Sequence, residues 1–241
     1  MKVLSIGNSF SQDAHKWLHQ LAKLNHVDMQ TLNLYIGGCS LERHWYNVEN
    51  NLEAYDFEPN GILTSWKISI DVALKMTDWD IITVQQVSQH AGRTESYEPY
   101  YSNLIKLIRT LQPKAQIWFH QTWAYEVDSQ HSGFALFDYD QQKMYDCVIS
   151  TTEQMAKSAN IPVIPVGRLI QKLRQTVPEF DYKNGGLSLC RDGYHLTRDY
   201  GRFAAAALWM RTLTGKTVEA EEFEDFDPKL LQKILAVIND Q

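Results

Sequence analysis

Apolar positions along this 241-residue chain alternate between short unbroken runs and longer stretches with helical spacing. The first run, residues 2–6 (Lys-Val-Leu-Ser-Ile), reads as a buried strand. Segment 13–26 sets Trp17, Leu18, Leu21 and Leu24 along one side of a helix. A second strand, 29–35, ends at Gly37-Gly38, and 41–53 reads as helical. The stretch 54–68, with Asn60-Gly61 at its middle, reads as a hairpin insertion. The apolar run 80–85 is a third strand, and helix 97–111 stops before Pro113. Strand 116–120, helix 141–160, strand 162–166 and helix 166–175 follow. Segment 197–213 is a helix with Thr197 as cap and Gly215 as stop, and 228–239 is the last helix. Five apolar strands alternating with helices predict a three-layer α/β/α sandwich with a five-stranded parallel sheet, flavodoxin-like. In such sheets ligands bind beyond the C-terminal ends of the strands. Ser9 follows the first strand, Gly38 the second, and Gln85 and Gln86 the third; His195 precedes the 197–213 helix.

Composition fits one domain, residues 1–241: 44% hydrophobic, 22% charged, with no linker, repeat or low-complexity stretch. Net charge is −6 with scattered Lys and Arg, which excludes a nucleic-acid footprint. The apolar runs are too short to span a bilayer, so no membrane partner is expected. Met1-Lys2 leads straight into a strand with no signal peptide, so a cytoplasmic location is expected unless a leader was removed. The acidic stretch 219–227 reads as a solvated turn. Cys39, Cys147 and Cys190 are odd in number and far apart, consistent with reduced packing thiols rather than a disulfide framework or zinc site.

The chemistry lies at the two ends of the chain. Gly7-Asn8-Ser9 offers a nucleophile in a strand-to-helix turn, where Gly7 permits the bend because it has no Cβ. Ser11 is the competing hydroxyl, further from the strand end, and the plain alternative is that Asn8, Ser9 or Ser11 simply caps the helix that begins near Asp13. Asp192-Gly193-Tyr194-His195 offers a base and an acid three residues apart, close enough for the carboxylate to orient the imidazole. Acyl transfer also needs donors aimed at the developing oxyanion. The N–H groups of Ser9 and Gly38 and a side-chain amide from Gln85 or Gln86 are candidates, with strand alternation favouring Gln85. His90, Arg93, Trp123 and Tyr125 follow strands at the same edge and are candidate substrate contacts. His15 and His19 stand four apart as metal ligands can, but the Glu of a His-Glu-x-x-His pattern is missing, so no metal site is expected. No phosphate-binding glycine loop is present.

In this combination the chain resembles the SGNH (GDSL-type) hydrolase superfamily. Gly7-Asn8-Ser9, Gly38 and Asp192 to His195 match its first, second and last blocks, and the likeness spans nearly the whole sequence. Segments 6–14 and 191–202 look most like a bacterial branch of it. The third block, Gly-x-Asn, is not found in Val84-Gln85-Gln86-Val87-Ser88; some carbohydrate acetylesterases of the superfamily carry a Gln there. The resemblance implies ester hydrolysis through an acyl-enzyme on Ser9, with His195 as base, Asp192 as its orienting acid, and no metal or organic cofactor. It implies a small acyl group, acetyl above all, on a small-molecule or carbohydrate ester. A lipid or thioester hydrolase, or a non-catalytic carbohydrate-binding protein on the same scaffold, are the alternatives.

Overall fold

The computed structural model describes residues 1–240. In chain order the elements are β1 (Lys2–Gly7), α1 (Ser9–His15), α2 (Leu18–Leu24), β2 (Gln30–Tyr35) and α3 (Leu41–Glu49). Then come β3 (Tyr55–Pro59), β4 (Lys67–Ile68), α4 (Ile70–Lys75), β5 (Ile81–Val84) and α5 (Tyr100–Leu111). The last are β6 (Gln116–His120), α6 (Gln141–Ser158), β7 (Val163–Ile164), α7 (Val166–Thr176), α8 (Tyr200–Thr214) and α9 (Pro228–Asn239).

Among the described residues the sheet has seven strands, ordered β4-β3-β2-β1-β5-β6-β7. The five apolar strands read from the sequence are its parallel part, β2-β1-β5-β6-β7. The expected count of five is corrected by β3 and β4, which add antiparallel at the β2 edge. Their side chains are polar enough to sit at a sheet edge, so they lack the unbroken apolar run of a central parallel strand.

Burial on both faces explains why β1 is apolar throughout. Leu4 and Ile6 pack into a core with Leu41 of α3, Leu74 of α4 and Leu104 of α5. Val3 faces the other layer, with Phe10 of α1, Leu21 of α2, Leu169 of α7 and Ile234 of α9. Ser5 shares that second face and is satisfied there by His15 Nε2 and Thr83 Oγ1, each at 2.7 Å. Helix α8 runs through this layer with Phe203 to Met210 all buried, and four consecutive alanines let neighbouring helices approach closely. The chain crosses from β2 on one side of β1 to β5 on the other, which opens a crevice above the C-terminal ends of β1 and β5.

Candidate active site

Strand register sets the level of the site. Gly7 pairs with Tyr35 and Ile6 with Val84, so the chain leaves β1, β2 and β5 at one height. Asn8 then turns the chain into α1. Its Oδ1 accepts from the Phe10 N–H at 3.0 Å, and its own N–H donates to Ser11 Oγ at 3.1 Å, closing a capping box. The helix therefore begins at Ser9, not at residue 13, and Ser9 becomes its first residue. Gly7 serves close packing rather than an unusual bend: a Cβ there would overlap Ser11 Oγ. Ser11 is fully buried, with Oγ donating to Asn33 Oδ1 at 2.7 Å, which removes it as a nucleophile.

The other half of the site is one turn, from Asp192 to His195. Gly193 sits at φ +85°, and any Cβ on it would press on Ser129. Asp192 Oδ1 accepts the N–H groups of Tyr194 (3.2 Å) and His195 (2.8 Å), and Oδ2 accepts His195 Nδ1–H at 2.7 Å. With its Nδ1 proton held there, the neutral imidazole presents a lone pair on Nε2. That lone pair faces Ser9 Oγ at 2.8 Å. Burial pushes the Asp192 carboxyl up, but its hydrogen bonds from His195 and Tyr194 outweigh this and hold it below the usual carboxylate range. Ser9 and His195, 186 residues apart in sequence, are thus in direct contact.

Ser9, Gly38 and His195 open into a cleft of about 360 Å³. Gly38 holds φ +63° there, a conformation that suits glycine. Phe10, Tyr35 and Tyr194 form apolar walls, while Ser88, Gln89 and His131 bring polar groups. His131 Nδ1 accepts from the Gly133 N–H at 3.0 Å, so the neutral ring carries its proton on Nε2 as a donor. A larger cavity, about 590 Å³, opens over the buried Glu126–Arg174 pair and contains none of the Ser9, Asp192 and His195 groups. Chemistry rather than size selects the smaller one.

The family model for the Domain of unknown function (DUF4886) matches residues 2–232. The chain belongs to the DUF4886 family. A DUF4886 family protein of known crystal structure, from Bacteroides uniformis ATCC 8492, is 36% identical, with a TM-score of 0.91 over 100% of this chain and 93% of that one. Among more distant structures is a suspected SGNH hydrolase from Slackia heliotrinireducens: 18% identity, TM-score 0.60, 88% of this chain and 98% of that one. Another is an acetylxylan esterase variant from Geobacillus stearothermophilus: 13% identity, TM-score 0.57, 91% of this chain and 96% of that one. The DUF4886 chain has the SGNH hydrolase fold. No curated protein matches it in sequence.

Several residues read as site candidates lie elsewhere in the DUF4886 structure. Gln86 is committed to its surroundings: Oε1 accepts the N–H groups of Leu41 and Val87, and Nε2 donates to Ser96 O and Oγ. Gln85 is buried behind Asn8 and donates to Asn8 Oδ1 at 2.6 Å. Strand alternation fails as a guide because β5 ends at Val84 and the chain tightens into a 3₁₀ turn at Ser88–His90. Two side-chain amides line the cleft: Asn8, which is tied to Cys39, Phe10 and Gln85, and Gln89. Nothing local in the sequence distinguishes Gln89 from Gln85 and Gln86.

The four proposed substrate contacts do not line the cleft either. Trp123 is fully buried, stacked on Phe10 with ring centroids 4.2 Å apart, and donates to Tyr194 O at 2.7 Å. Tyr125 is also buried, with its hydroxyl 2.8 Å from Ser88 Oγ and its ring against Tyr194. Both brace the walls from behind. His90 closes the 3₁₀ segment without lining the cleft, and Arg93 pairs with Glu95 in solvent. His15 and His19 have partners of their own, Ser5 Oγ and Met29 O. Among the described residues no group of three or more His, Cys, Asp or Glu side chains is placed to hold a metal ion. Burial pushes the thiols of Cys39 and Cys190 up to about 12, so neither is a thiolate nucleophile at neutral pH. Among the described residues no helix is long and apolar enough to cross a membrane.

Proposed function

We propose that the chain is a serine esterase that removes small acyl groups, acetyl first among them, from polyhydroxylated substrates. The observation that carries this reading is the unbroken line Ser9 Oγ–His195 Nε2–His195 Nδ1–Asp192, at 2.8 and 2.7 Å. In the first step His195 Nε2 takes the hydroxyl proton as Ser9 Oγ bonds to the acyl carbon. The carbonyl oxygen becomes an oxyanion, stabilised by the N–H groups of Ser9 and Gly38 and the Gln89 amide. The C–O bond to the alcohol then breaks, the alcohol leaving with the proton from Nε2. Water, deprotonated by the same nitrogen, attacks the acyl-enzyme and releases the acid and Ser9.

The size of the cleft, near the low end for ligand pockets, supports a short acyl group. Tyr35 and Tyr194 supply flat faces for the apolar side of a sugar ring. The likeness to an acetylxylan esterase supports the same choice, at the level of fold. The retreat of Gln85 and Gln86 from the cleft is the one observation that favours a non-catalytic carbohydrate-binding protein instead.

A fluorophosphonate probe and p-nitrophenyl acetate separate the two. The esterase reading expects covalent labelling at Ser9, turnover by the wild type, and a rate loss of at least about 10⁴-fold in Ser9→Ala. Folded protein that is neither labelled nor active supports the binding protein and overturns the esterase.

A further inference from the structure

One helical turn beyond Ser9, α1 carries a second acidic group that the mechanism above does not use. Asp13 is fully buried. Its Oδ1 accepts from Arg202 Nε at 2.7 Å and from Arg191 Nη1 at 3.0 Å. Its Oδ2 accepts from the Leu196 N–H at 2.9 Å and from Arg191 Nη1 at 3.2 Å. Residues four apart share one face of a helix. Ser9 and Asp13 therefore meet the same stretch of chain: Ser9 at His195, and Asp13 at Arg191 and Leu196.

That stretch is closed on itself. The Arg191 N–H donates to His195 O at 2.8 Å, the Arg191 guanidinium donates to Leu196 O, and Cys190 and Leu196 form an antiparallel bridge. Its remaining ties, Trp123 Nε1 to Tyr194 O and the Glu126 N–H to Gly193 O, run to the connection between β6 and α6. Asp13 joins the loop to the helix that carries the nucleophile, and at the residue next to His195.

We propose that Asp13 is a positioning residue, a buried carboxylate clamp that sets the Ser9–His195 distance by fixing the 191–196 loop to α1. This rests on the reading of Ser9, His195 and Asp192 as the reacting groups. An Asn at position 13 keeps the shape but turns an NH₂ group toward either the Leu196 N–H or the arginines, all of them donors. The loop must then shift, and a displacement of about 1 Å in a reacting geometry costs on the order of 10²-fold in rate. Asp13 does not line the cleft, so substrate affinity is spared.

The test compares Asp13→Asn, Arg191→Gln and Arg202→Gln by kcat, KM for p-nitrophenyl acetate, and melting temperature. Asp13→Asn and Arg191→Gln are expected to lose about 10²-fold in kcat with KM within about twofold of wild type. Arg202 lies on α8 and makes no bond to residues 191–196, so Arg202→Gln should lower the melting temperature without that loss of kcat. Folded Asp13→Asn with wild-type kcat overturns the proposal. So does an equal kcat loss in Arg202→Gln and Arg191→Gln, because rate would then follow stability alone; this pair decides the matter if Asp13→Asn does not fold. A wild type that is inert and unlabelled sinks the esterase reading instead. In that case crystal structures of the variants decide: a Ser9–His195 separation still near 2.8 Å refutes the clamp, and a widened one supports it.

Discussion

Asp192→Asn isolates the contribution of one proton's position. In the wild type, Asp192 Oδ1 holds two backbone N–H groups and Oδ2 holds His195 Nδ1–H. Asparagine has the same outline but one oxygen and one NH₂. Keeping the oxygen on the two backbone groups preserves two hydrogen bonds, whereas the reverse orientation preserves one. At about 1 kcal/mol per bond, the first orientation is favoured roughly fivefold. It points NH₂ at Nδ1, which must give up its proton, so Nε2 carries the hydrogen and cannot accept one from Ser9. The minor orientation keeps the right tautomer but loses the carboxylate's hold on the imidazolium, worth about 1.5 kcal/mol at the lower end because Asp192 is 40% exposed. The two effects multiply to about 10²-fold in kcat, close to 3 kcal/mol in the barrier. Aryl acetate turnover, with circular dichroism to confirm folding, measures this. Folded Asp192→Asn turning over within about threefold of wild type would refute both the tautomer argument and the assignment of Asp192.

Four further outcomes are expected. His15, His44 and His120 are buried, and burial lowers each to about 3 from the 6.5 of a free imidazole. Between those two values the unfolded chain binds protons that the folded chain refuses, so stability falls on acidification by about 1.4 kcal/mol per pH unit for each, roughly 4 for the three together. The melting temperature should then fall as the pH drops below 6.5, and one that stays flat from pH 7 to 4 would contradict it. Gly7→Ala should destabilise by about 1–3 kcal/mol through the overlap with Ser11, and denaturant titration reads it directly. Gln89→Ala should lower kcat on aryl acetate about 10²-fold with little change in melting temperature, the size of one lost oxyanion donor. Gln86→Ala should lower the melting temperature with little change in kcat, since its amide ties Leu41 at the start of α3 to Ser96.

The sequence revealed most where local pattern and topology coincide. An apolar strand ending in Gly-Asn-Ser, and an Asp three residues before a His, need only the rule about strand ends to be brought together. The capping pair Asn8 and Ser11 is legible too, but the helical spacing of apolar residues is strongest around Trp17 and Leu18, so periodicity alone puts the start of α1 four residues late. Helix α4 is too brief at six residues for its periodicity to stand out, although Ser69 caps it and Ile70, Ala73 and Leu74 are spaced for one buried face. Aromatic residues after a strand proved ambiguous: Trp123 and Tyr125 turn inward because the connection after β6 tucks beneath the Asp192–His195 turn. Tyr194 stood inside the recognised motif, whereas His131 comes from the 3₁₀-rich connection before α6 and had no local signal.

The turn from Asp192 to His195 holds a carboxylate against an imidazole and sets their mutual geometry within four residues. The serine that this imidazole meets lies 186 positions away, so the Asp192–His195 pair needs only its own turn while the contact with Ser9 needs the whole sheet assembled. A partly unfolded chain can therefore keep the Asp192–His195 pair and still have lost Ser9, which makes the Ser9–His195 distance a reporter of tertiary assembly.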